Sequence, residues 1–289
     1  MTIDSLAAPS AVPLASSGWI ALRPAARSAG SSGRFRGADA TRLLLPVGLL
    51  LLWQGACSFG YIGPRTLESP LTVARTLVEL TVSGVLWESL VASFNRAFAG
   101  FVIGGGLGLL LGIIAGLSRA GERAYDALLQ MLRMVPFLAV IPLFVIWFGV
   151  DEEPKILLIA LACIFPVYLN TFSGVRNVDP KLIEAATVFG MSRTAIATQI
   201  VAPMALPSIM VGVRYAMGVA LLSLVAAEQV NATSGIGYLA LNPRASLRTD
   251  IILGVVLLYS VLGLLVDLLL RTAQGYLLPW HRTVIEKAR

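Results

Sequence analysis

Three features predict an all-α, polytopic membrane protein: sparse charge, long apolar runs, and an amphipathic insert at residues 173–206 between two of those runs. Of the 289 residues, 57% are hydrophobic and 13% are charged, and the mean hydropathy is +0.81. A soluble domain carries roughly 25% charged residues, so this composition belongs in a bilayer. Six apolar runs approach the roughly 20 residues needed to cross about 30 Å of hydrocarbon. The predicted fold is therefore six transmembrane helices with a cytoplasmic helix-turn-helix loop.

The elements follow in order. Residues 1–40 are rich in Ala, Ser, Gly, Pro and Arg without sustained periodicity, the signature of a disordered tail. This segment is too long and too polar for the start of a secretory signal. Residues 41–280 form the membrane domain, with spans near 43–62, 97–117, 127–148, 156–173, 207–228 and 251–271. Residues 281–289 form a short C-terminal tail. Pro136, Pro142 and Pro166 fall within the third and fourth spans. Membrane helices accommodate proline where neighbours re-satisfy the freed carbonyls, at the cost of a kink.

Orientation follows from the distribution of Lys and Arg, which favours the cytoplasmic side. With both termini inside, 14 of the 22 basic residues lie inside and 6 outside, Arg96 among the latter; Arg133 and Arg214 fall within spans. The acidic Asp151-Glu152-Glu153 loop and the 229–250 loop then face outward, and the 173–206 insert faces the cytoplasm. This sorting by membrane side accounts for the net charge of +6 without nucleic acid as a partner. The lipid bilayer itself is the first partner, and the expected location is the inner cell membrane.

Within the insert, Asp179-Pro180 is a helix start: the carboxylate caps free N–H groups and proline suits the first helical position. Leu182, Ile183, Ala186 and Phe189 fall on one face. Gly190 permits the left-handed conformation that ends a helix. Ser192 can cap a second short helix running to about Ile200, which Pro203 is expected to stop. The unit is either an ordinary interfacial amphipathic loop or a helix pair fitted to a groove on a partner.

Charges inside a bilayer are expensive and often functional. Arg214, about 10 Å deep in the fifth span, either draws an anion toward a pathway or snorkels and ties helices together. Arg133 reads the same way. Glu228, with Gln229, ends the fifth span, where it either shapes a pore mouth or makes interfacial hydrogen bonds. Asp267 and Arg271 are spaced to pair on one helix face. Gly104, Gly105, Gly106, Gly108, Gly112 and Gly116 make a small-residue face for helix contact, without the Gly-Lys-Ser/Thr of a phosphate loop. The two cysteines, Cys57 and Cys163, indicate no disulfide framework. The single histidine, His281, excludes a histidine-based metal or acid/base centre in the membrane. No nucleophile–base pair or metal-ligand spacing is present, so neither a catalytic residue nor a metal or other cofactor is expected.

Glu184-Ala185-Ala186, then Gly190, Ile200 and Pro203, resembles the EAA signature of ABC importer permeases. Ala202 departs from the leucine common in that pattern. Val135-Pro136, Ile141-Pro142-Leu143, Trp147-Phe148-Gly149 and Gly174-Val175-Arg176-Asn177-Val178-Asp179-Pro180 resemble one branch of the family, which imports sulfonates, taurine, nitrate and bicarbonate. Ala227-Glu228-Gln229-Val230-Asn231-Ala232 with Ser234-Gly235-Ile236-Gly237-Tyr238 is most similar to aliphatic-sulfonate permeases. The resemblance implies a non-catalytic membrane subunit forming half of a translocation pathway. It implies a second copy of the chain, two ATPase subunits gripped through the insert, and an extracytoplasmic binding protein. It also implies that the third helix, with Pro136 and Pro142, helps line the pathway. The rival readings are an ATP-independent secondary transporter, against which no persuasive inverted repeat is found, and a membrane-embedded enzyme, which lacks a catalytic constellation.

Overall fold

The computed structural model describes residues 35–63, 66–118, 131, 134, 137–229, 232–241 and 248–278. These residues are helical with short connections, and no strand occurs among them. The chain divides into a unit at Met1–Leu49 and a second at Leu50–Arg289. The first unit is represented by the beginning of α1 (Phe35–Ser58). That helix starts inside the 1–40 segment expected to be a tail; residues 1–34 and the tail at 281–289 lie outside the described residues.

Among the described residues, four helices are long and apolar enough to cross a membrane, beginning at Val85, Glu152, Arg193 and Thr249, and two shorter apolar stretches are Leu44–Ser58 and Ala139–Phe148. The second span is longer than expected: α3 (Val85–Leu117) begins well before residue 97. Before it lies α2 (Pro70–Val82), in the stretch between the first two expected spans where the sequence predicts an outer loop. Its start repeats the logic of Asp179-Pro180, with the Ser69 side chain accepting from the Thr72 N–H and Pro70 in the first turn.

The core is a three-helix layer of α3, α5 (Glu152–Arg176) and α8 (Ala202–Glu228). Glycines make α3 and α5 nearly touch. A Cβ at Gly100 would lie 2.6 Å from Ile159 Cβ, at Gly112 2.6 Å from Thr171 Cβ, and at Gly116 2.7 Å from Val175 Cβ, while at Gly104 it would collide with the Ala160 backbone. The expected small-residue face is thus an interface at Gly104, Gly108, Gly112 and Gly116, extended by Gly100. Gly105 meets only its own helix's Phe101, and Gly106 meets open space.

Contact positions rise together along both helices, so α3 and α5 are parallel. The chain must therefore return between them. α4 (Phe137–Phe148), with Pro142 exposed inside it, occupies part of that return, and Ile141 packs with Leu158 and Ala227. Pro136 and Arg133 lie outside the described residues.

α8 runs antiparallel to α5. A Cβ at Gly212 would meet Asn170 Cβ at 2.6 Å, and one at Gly174 would meet Ser208 Cβ at 2.8 Å. Ile159, Cys163 and Val167 pack with Ala216, Ala220 and Leu224 between the two helices. α10 (Thr249–Leu277) is antiparallel to α8 and is fastened to α2, where Thr76 Oγ1 donates to the buried Asp250 at 2.6 Å. Arg248, just outside the span, donates to the same carboxylate, a partner that raises the guanidinium pKa.

Candidate coupling loop and buried charge network

The 173–206 insert lies where α5 ends and α8 begins. α6 (Pro180–Val188) starts as its sequence requires: the Asp179 carboxylate accepts from the Lys181 N–H at 2.9 Å, with Pro180 in the first turn. It ends at Gly190, whose φ of 78° is open to glycine at little steric cost. The Gly190 N–H donates to Thr187 O at 3.0 Å, and the Met191 N–H to Ala186 O at 3.1 Å. These bonds satisfy carbonyls that a helix end leaves free. Ser192 then caps α7 (Arg193–Ile196) by accepting from the Ala195 N–H at 3.2 Å.

The second helix does not stop at Pro203. α7 passes through a π-helical turn, Ala197–Val201, directly into α8, making one apolar helix from Arg193 to Glu228. A proline ring inside an α-helix clashes with the carbonyl four residues back and leaves it without a donor. The π turn widens the helix there, with the Ala202 N–H reaching back to Ala197 O. Such local adjustments let membrane helices keep a proline. Burial holds the continuation in place, because Val201 and Ala205 pack with Val175, Val178, Ala186 and Ile196.

This packing splits the apolar stripe of α6. Ala186 is buried, and Ile183 and Ile200 are half-buried against the same cluster. Leu182 instead points outward, as do Val188 and Phe189, each 86% exposed. Glu184, Ala185 and Gly190 are also exposed. The unit is therefore a small rigid knob. Its inner face is welded to the helix core, and its outer face carries a carboxylate and three large apolar side chains.

A second cluster forms at the opposite end of α5, about 36 Å away along a helix of this length. Arg96, assigned from sequence to an outer loop, lies inside α3 and is only 3% exposed. Its Nη1 donates to Glu228 Oε1 at 2.8 Å and to Ser234 O at 2.7 Å, and its Nη2 donates to Glu152 Oε1 at 2.8 Å. Arg96 Nε also donates to Glu152, and Lys155 donates to that carboxylate at 3.2 Å. Glu228 is fully enclosed: Ser93 Oγ donates at 2.6 Å, the Gly237 N–H at 2.7 Å and Tyr259 OH at 3.4 Å.

These bonds pin α9 (Ile236–Leu241) and its approach against α3 and α8. Gly235, at φ 124°, is required here, because a Cβ would lie 2.7 Å from Arg96 Nη1 and would collide with the Glu228 carboxylate. The Arg96 half of the network was missed from sequence. Its only trace was an arginine one residue before the start of a long apolar run, next to Asn95.

Arg214 makes an ion pair with Asp267 of α10, and Arg271 Nε donates to the other oxygen of that carboxylate at 2.7 Å. The expected Asp267–Arg271 pair is thus present, with Arg214 added from the neighbouring helix. Among the described residues no group of three or more His, Cys, Asp or Glu could hold a metal ion.

Comparison with known proteins agrees with this architecture. Residues 108–282 match the model of the family described as binding-protein-dependent transport system inner membrane component. The chain is 48% identical over 237 residues to SsuC of Escherichia coli, named as an aliphatic sulfonates transport permease, covering 82% of this chain and 90% of that one. It is 43% identical to the Bacillus subtilis protein of the same name, covering 83% and 87%. It is 36% identical to the taurine transport permease TauC of E. coli, covering 82% and 88%. Among solved structures, an amino acid ABC transporter superposes with a TM-score of 0.56 at 17% identity, covering 69% of this chain and 97% of that one; this similarity establishes the fold. The chain belongs to the family of inner-membrane components of binding-protein-dependent transport systems, the multi-pass, non-catalytic permease subunits of ABC importers.

Proposed function

We propose that this permease forms half of the translocation pathway of an ATP-driven importer of aliphatic sulfonates. In this reading a second copy supplies the other half, two ATPase subunits dock on the α6 knobs, and an extracytoplasmic binding protein delivers cargo. Both termini lie in the cytoplasm, which places α6 on the side where ATP is. The observation that carries the reading is the knob: Leu182, Val188 and Phe189 stand outward on an element fixed to the helix core. A partner groove would bury those side chains, as with other amphipathic helices seated in grooves. Sulfonate as cargo is supported by the two relatives of that name, each covered over most of its length.

The mechanism follows from rigidity. α7 and α8 form one helix, so ATPase closure that moves the knob also tilts α8. The far end of α8 is Glu228, tied through Arg96 to α3 and through Glu152 to α5. The three helices therefore move as a body and reorient the pathway between two packed states. Glu184, Ala185, Gly190 and Phe189 make the contact, while Ala186, Ile200 and Pro203 hold the knob to the lever. Glu228 has the role of an anchor for the body rather than of a group facing cargo. Family membership sets aside the ATP-independent secondary transporter.

The test is reconstitution. The chain is purified with a candidate ABC ATPase subunit from the same organism, and uptake of labelled ethanesulfonate, taurine and bicarbonate into vesicles is measured with a candidate binding protein and ATP. ATP-dependent ethanesulfonate uptake in excess of the others supports the reading. Uptake of taurine or bicarbonate alone would replace the cargo, and failure of the ATPase to co-purify with a folded chain would overturn the coupling role.

A further inference from the structure

Two guanidinium groups share one carboxylate where α8 meets α10. Arg214 and Arg271 occupy different oxygens of Asp267, which leaves one net positive charge beside largely apolar helix surfaces. Each guanidinium has five N–H donors, and among the described residues neither has another partner. Arg271 Nε is turned toward Asp267, one turn earlier on the same helix, while its side chain stays 63% exposed, so the rest of the guanidinium is open to a ligand.

Arg214 and Asp267 line a cavity of about 510 Å³ between α8 and α10, whose other walls include Val211, Val219, Val266 and Leu270. Largely apolar clefts of roughly 300–1,000 Å³ with a few placed polar groups are the usual form of small-ligand sites. Gly218 and Gly263 keep the cleft open between the helices.

We infer that the Arg214–Asp267–Arg271 cluster and this cavity bind an amphiphilic monoanion, with its oxyanion head on the two arginines and its alkyl tail along the apolar wall. A phospholipid such as phosphatidylglycerol has that chemistry, and so does a short alkanesulfonate. Asp267 holds both arginines in place and, by cancelling one charge, keeps the site weak enough to release its ligand.

Charge variants of the full-length chain in phosphatidylcholine nanodiscs test the inference. Saturable binding is measured for labelled butanesulfonate, and for phosphatidylglycerol by native mass spectrometry of retained lipid. One probe is expected to bind at one per chain. Asp267→Asn should tighten binding about tenfold, since it removes a negative charge beside the head, and Arg271→Gln should weaken it by about the same factor. The Arg271→Gln/Asp267→Asn double variant should return close to wild type. Butanesulfonate binding assigns the site to cargo, and phosphatidylglycerol binding assigns it to lipid.

Binding of neither probe, or an unchanged or weaker affinity in Asp267→Asn, would overturn the inference, because a carboxylate that only ties helices together gives no gain on neutralisation. Arg271→Gln retains the Arg214–Asp267 bridge, so an unchanged affinity in that variant overturns it even if Asp267→Asn does not fold. The butanesulfonate arm rests on the importer reading and the lipid arm does not. Loss of ethanesulfonate uptake by the wild-type transporter would therefore sink the importer reading alone.

Discussion

Arg96 Nη1 lies 2.8 Å from Glu228 Oε1, joining two helices across 132 positions of sequence with both side chains almost wholly buried. Removing one member of such a pair strands the other charge without solvent, which costs about 3–5 kcal/mol, whereas replacing both with apolar side chains is often neutral. Arg96→Met should therefore lower the apparent Tm in detergent sharply. Arg96→Met/Glu228→Met should recover most of the loss. A double variant no more stable than the worse single one would mean that the remaining bonds to Ser93, Ser234 and Gly237 matter more than the pair.

The glycine face of α3 allows a second, sharply divided outcome. At Gly104 a Cβ collides with the Ala160 backbone, while at Gly106, two residues on, nothing lies within 4 Å. Overpacking a tight contact costs about 1–3 kcal/mol, and glycine to alanine in an open helical site gains up to about 1 kcal/mol. Gly104→Ala should thus destabilise and Gly106→Ala should not. Equal Tm values for the two would show that α3 and α5 separate freely enough to admit a methyl group.

The contrast between those glycines also marks how far the sequence could be read. Small residues recurring every fourth position identified the helix contact, because that spacing is a local property of one helix. Arg96 was placed outside the membrane because its partners lie on other elements, and a charge looks costly until Glu228 and Glu152 are known to meet it. α2 was passed over because 13 residues cannot span a bilayer, although Ser69-Pro70 carried the same start signal that was recognised at Asp179-Pro180. On the insert, the caps at Asp179, Gly190 and Ser192 were legible because each acts within a few residues. The fate of the helix at Pro203 was not, since packing against Val175 and Ala186 decides it.

The knob on α6 should be separable from the fold. Phe189 is 86% exposed, and surface substitutions away from special features change stability by about 0.5 kcal/mol or less. Phe189→Ser should leave Tm unchanged and reduce capture of the ATPase subunit. Gly190→Pro should abolish capture by a different route, because proline fixes φ near −65° where the turn requires 78°. Co-purification of the ATPase in full yield with both variants would remove the knob from the interface.

The π turn before Pro203 makes the last case. Pro203→Ala supplies the missing N–H and removes the ring that keeps Ala197–Val201 wide. If that turn tightens to α-helical hydrogen bonding, one residue of register is taken out, and α7 rotates about 100° relative to α8 at 3.6 residues per turn. The knob would then meet the ATPase while pointing wrongly along the lever. The expected phenotype is ATPase that co-purifies and hydrolyses ATP but no longer drives uptake in reconstituted vesicles. Opposing this, Val201, Ala205 and Ile196 are buried with Ala186, and a rotation of that size would expose them. The experiment therefore weighs backbone geometry against packing. Uncoupled hydrolysis in Pro203→Ala means the proline sets the register of the lever. Normal coupling means the apolar cluster sets it, and then Ala205→Ser, which places a hydroxyl in that cluster, should uncouple instead.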